Sequence, residues 1–110
     1  MKLMKCFRQL LFLKACFMKR KISYINQGRY GRVIYSDKVS NLDFYFEFGG
    51  GNCVAMINIP APADWEKETG RNISERDEIT RFIAEQAIHD QVPGGYYKIH
   101  EDYIGLYSRK

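Results

Sequence analysis

Cysteine is scarce in this 110-residue chain: only Cys6, Cys16 and Cys53 occur. The set is odd and holds no C-x-x-C pair, so neither a disulfide framework nor a zinc site is signalled. A reducing compartment, the cytoplasm, is the default expectation. Histidine is rarer still, with His89 and His100 alone. Proline is limited to three residues. No run of about 18 apolar residues is present, which argues against a membrane-spanning helix. Signatures such as G-x-S-x-G and H-E-x-x-H are absent, so no nucleophile elbow or metalloprotease helix is indicated.

Acidic charge is absent at the N-terminus, where basic charge is dense. Residues 1–21 carry seven of the 17 basic side chains and none of the 13 acidic ones. The remaining 89 residues hold ten basic and 13 acidic groups, a net charge of −3, although the whole chain is +4. The basic character therefore belongs to a leader and not to the body. Nucleic-acid binding, which needs a basic surface, is disfavoured. Residues 1–17 admit three readings: an upstream extension before a start at Met18, a basic amphipathic segment contacting a membrane surface, or an export signal. The last fits poorly, because Arg8 and Lys14 leave only Leu10–Leu13 as an apolar stretch. The division is thus a leader over 1–21 and a single domain over 22–110.

The domain alternates between two periodicities. Ile22–Asn26 and Arg29–Ser36 read as strands separated by a turn at Gln27-Gly28. Leu42, Phe44, Phe46 and Phe48 share one face of the next strand, with Asp43, Tyr45 and Glu47 on the other. Gly49-Gly50-Gly51-Asn52 reverses the chain into Cys53–Ile59. Without a following helix or lysine, these glycines read as a hairpin and not as a phosphate loop. The apolar Cys53–Ile59 strand is expected to be buried on both faces, with Cys53 a small buried hydrophobe.

Pro60 and Pro62 end that strand, and a short helix over Ala63–Thr69 stops at Gly70. The main helix is expected to start at Ser74, with Asp77 completing a capping box, and to bury Ile79, Phe82, Ile83, Ala87 and Ile88. Capping also accounts for Ser74 in Asn72-Ile73-Ser74, a match to the glycosylation acceptor pattern. Val92-Pro93-Gly94-Gly95 ends the helix, and a hairpin over Tyr96–His100 and Tyr103–Tyr107 closes the chain. The resulting fold class is α+β: an antiparallel sheet of five to six strands, ββββ-α-α-ββ, with one main helix packed on one face.

Functional residues are sparse. His100 beside Glu101 and Asp102 is the one constellation suited to general acid–base chemistry, and it defines the enzymatic alternative, a small metal-independent hydrolase or ribonuclease. No ligand spacing supports a metal site, and no cofactor motif occurs. Two surface features point instead to interaction with a protein. Residues 64–90 are acidic overall, with Asp64, Glu68, Glu75, Glu78 and Glu85 as contact candidates for a basic partner. Tyr45, Tyr103 and Tyr107 occupy strand positions opposite the apolar face, where tyrosine suits an interface. The favoured expectation is a non-catalytic binder of inhibitor, immunity or adaptor type. Its oligomeric state is left open.

Overall fold

The computed structural model describes residues 20–109, and the readings placed on residues 1–17 lie outside them. Its elements are β1 (Lys21–Asn26), β2 (Tyr30–Ser36), β3 (Asn41–Phe48), β4 (Cys53–Asn58), α1 (Trp65–Thr69), α2 (Arg76–Gln91), β5 (Tyr96–Ile99) and β6 (Tyr103–Tyr107). Single 3-10 turns, Pro62–Asp64 and Ile73–Glu75, lead into the two helices. This is the ββββ-α-α-ββ order. The six strands form one antiparallel sheet in the order β1-β2-β3-β4-β6-β5. Hairpins account for every neighbour except β4 and β6, which the helical segment brings together.

Period-two patterning assigns the faces. Val33 and Tyr35 of β2, Leu42, Phe44 and Phe46 of β3, and Ile104 and Leu106 of β6 are buried, packed with Ile79, Ile83, Ala84 and Ala87 of α2. Each such fully buried large aliphatic side chain contributes about 2 kcal/mol relative to exposure. Phe48, the fourth member of the β3 stripe, is 43% exposed. It lies at the end of the strand, where its ring makes an edge contact with Phe46.

Two expectations change. Both helices lie on one side of the sheet, so β4 is central by position without being buried on both faces. Ala55 and Ile57 are buried, whereas Cys53, Val54 and Met56 are half-buried and Asn58 is exposed. The helix entry also begins earlier than Ser74. Asn72 is the cap: its side chain accepts from the Ser74 N–H, while Glu75 reaches back to the Asn72 N–H. Glu75 and not Asp77 completes the box, in keeping with the preference for Glu at that position. The turn Ile73–Glu75 then feeds directly into α2.

Trp65 anchors α1. It is fully buried, and its indole N–H donates to the Asn72 carbonyl at 3.1 Å. Gly70 closes the helix in the left-handed region at φ 73°, where a Cβ would be strained. Two buried arginines tie the layers. Arg76 donates to the carbonyls of Pro60 and Glu101. Arg71 donates to both Asp37 carboxylate oxygens, the Ser40 hydroxyl and Glu75. Among the described residues, no helix is long and apolar enough to cross a membrane.

Candidate docking groove

The pairing of β3 with β4 is short. Only Phe46, Glu47 and Phe48 face β4 partners, namely Ile57, Met56 and Ala55, although β3 continues back to Asn41 along β2. The segment just after β4 is the cause. The Ile59 N–H donates to the Asp102 carbonyl, and Arg76 holds the Pro60 carbonyl toward α2. The chain leaving β4 is therefore drawn to β6 and α2 while β3 stays with β2.

An open groove of about 1060 Å³ occupies the resulting fork. Asn41 to Tyr45 line one side, Asn58 to Ala61 the other; Asp64, at the end of the turn before α1, and Glu68 and Thr69 of α1 also line it. Asp102, Tyr103, Met56 and Arg32 complete it. Arg32 donates to Asp43 at 2.6 Å. The lining thus holds four carboxylates and one cation, which is already paired. The side-chain carboxylates of Asp64, Glu68 and Asp102 have no hydrogen-bond or ion-pair partner among the described residues.

The sequence-derived candidates divide on this geometry. Asp64, Glu68, Tyr45 and Tyr103 come together at the groove. Glu75, Glu78 and Glu85 do not join them, and each has a partner within the chain. Glu75 pairs with Arg71, Glu78 with Arg20, and Glu85 accepts from the Tyr97 hydroxyl at 3.2 Å. Tyr107 sits farther along the open sheet face. It stacks on Tyr96 with centroids 5.2 Å apart, and its ring covers Gly105, where a Cβ would collide with it. Tyr45 makes a tilted contact with Tyr30 at 5.9 Å and donates to Glu47.

His100, Glu101 and Asp102 form the turn between β5 and β6, and their side chains make no hydrogen bond with one another. The His100 ring stacks on Tyr103 at 4.2 Å, and its Nε2 is enclosed without a partner. Glu101 is held through its carbonyl by Arg76. Only Asp102 of the three reaches the groove. Among the described residues, no set of His, Cys, Asp and Glu is placed to hold a metal ion.

One structural centre supports the α1 wall. Asp37, at the β2–β3 turn, accepts from Arg71, from the Val39 and Ser40 amides and from the Tyr35 hydroxyl. Burial alone would raise the Asp37 pKa, but these donors together hold it well below the usual carboxylate range. Burial and the contact with Asp37 push the Tyr35 hydroxyl up to about 12. The centre joins the β2–β3 turn to the segment between α1 and α2. Sequence reasoning missed it because nothing local distinguishes Arg71 from an exposed arginine. No protein-family model matches this chain, and no curated protein or solved structure matches it either.

Proposed function

We propose that the domain is a non-catalytic protein-binding module, of the kind that inhibitors, immunity proteins and adaptors represent, and that its groove receives a basic segment of the partner. The observation behind this reading is the set of unpartnered carboxylates, Asp64, Glu68 and Asp102, gathered with Tyr45 and Tyr103 around one groove. Exposed acidic groups steer and orient a basic partner. Tyrosines offer large, stiff contact surfaces that bury apolar area and still satisfy a hydroxyl. The mechanism is occlusion, in which the partner's basic segment is covered while it occupies the groove. The hydrolase alternative draws less support, since His100 has no hydrogen bond to Glu101 or Asp102.

Binding of a lysine-rich peptide to the full chain tests the proposal. Titration is expected to show salt-sensitive binding that weakens roughly fivefold in the Asp64→Asn, Glu68→Gln double variant, given a few tenths to 1 kcal/mol for each exposed charge pair. A glutamate-rich peptide of equal length is expected not to bind. Equal affinity of wild type and double variant would refute the acidic groove as the docking site.

A further inference from the structure

The groove is bounded on one side by strand backbone, and the direction of that backbone is determined by the ladder. The Phe48 N–H donates to the Arg29 carbonyl across the β2 side, and the Gly49 N–H donates to the Val54 carbonyl across the β4 side. Backbone groups of alternate residues in an antiparallel strand point to opposite neighbours. The even-numbered residues of β3 therefore bond to β2, and the odd-numbered ones face β4. Glu47 meets Met56 there, but Asp43 has no residue of β4 opposite it. Its N–H and C=O open onto the groove, inside the sheet and not at its outer edge.

We infer that the partner enters this fork as an extended strand and pairs with the open edge of β3 around Asp43. The inference deepens the proposed binding function and rests on it. Three observations bear on it. First, the groove runs along five consecutive residues, Asn41 to Tyr45, as a site for an extended chain would. Second, unpaired strand backbone is a template for strand addition, in which main-chain hydrogen bonds supply affinity and alternate side chains supply specificity. Third, the lining joins apolar Leu42, Ile59 and Pro60 to carboxylates at Asp64, Glu68 and Asp102. A strand alternating basic and apolar residues matches both, because its two faces carry different chemistry. The occupant is thus a basic, extended segment of another protein.

The test uses the full chain and two synthetic peptides of alternating lysine and valine, one of them N-methylated at alternate residues. Methylation keeps the charge and removes the donors that would pair with β3. The unmodified peptide is expected to bind and to slow hydrogen exchange at the Asp43 amide. The methylated peptide is expected to bind at least about tenfold more weakly, as the loss of two hydrogen bonds at about 1 kcal/mol each implies. Equal affinity of the two peptides, or unchanged exchange at Asp43, would overturn strand pairing and leave the charge-based reading standing. Failure of both peptides to bind would remove both readings. An Asp43 amide already protected before peptide is added would show the fork filled by a second copy or by the chain's own basic N-terminal residues, and would overturn an external partner.

Discussion

The carboxylates at the start of α1 and those along the entry and length of α2 belong to one acidic stretch of sequence, yet their surroundings differ. Glu75, Glu78 and Glu85 each meet a cation or a hydroxyl of the same chain. Asp64 and Glu68 meet none among the described residues and stand at the mouth of a groove. Charge in a sequence counts groups, whereas availability for a partner depends on which groups folding has already satisfied. Glu75, Glu78 and Glu85 contribute to stability, each by a small amount because these carboxylates are at least partly exposed. Asp64 and Glu68 are left for an external charge, whereas Glu66 already accepts from the Ile73 N–H.

The comparison is broken most severely by removing what holds α1. Trp65→Ala is expected to lower stability by about 4 kcal/mol, as large-to-small core changes do, read as a shift in the denaturation midpoint. Arg71→Met is expected to cost about 3 kcal/mol, because it leaves Asp37 charged and nearly buried without its partner. Chemical denaturation would measure it, and a loss near zero would mean the centre does not secure the α1 wall.

Acid titration acts on the same centre. The folded-state pKa of Asp37 lies below its unfolded value, and so does that of Glu75 through its bond to Arg71. Their contribution is complete above the ordinary carboxylate pKa of about 4 and is lost as pH falls below it. Thermal midpoints measured over falling pH should drop below that point, and Asp37→Asn should flatten this part of the profile. Removing the cap with Asn72→Ala is expected to cost about 1 kcal/mol.

The finest distinction comes from the acids themselves. Glu85→Gln is expected to cost about 0.5 kcal/mol or less without altering peptide affinity. Asp64→Asn with Glu68→Gln should leave stability within about 0.5 kcal/mol while weakening binding. Denaturation and peptide titration on the same two variants would check both, and a reversed pattern would assign the docking charge to α2.

Much of the architecture was legible from local pattern. Alternation from Leu42 to Phe46 and the spacing of Ile79, Ile83 and Ala87 identified the buried faces, because burial imposes those periods. Gly70, Pro93 and Gly94 marked element ends through backbone preferences that act within a few residues. The helix start was misplaced by two residues, since Asn72 and Ser74 are both competent caps, and in the fold Asn72 takes the role with Glu75 completing the box. The double burial of β4 failed for a related reason. An apolar run shows that a strand can be covered, while the number of covering layers depends on where the helices dock.

The sequence by itself determined the element order, the inward face of each long element and the charge contrast between residues 1–21 and the net-acidic remainder, since these arise from local periodicity and composition. Tertiary structure alone decided which charges are spent. It buried Arg71 against Asp37, 34 residues away, and drew the end of β4 toward β6 and α2. It thereby opened the fork where Asp64, Glu68, Tyr45, Asp102 and Tyr103 meet. Such neighbours are distant in sequence, and only the closure of the sheet and the docking of the helices bring them within reach.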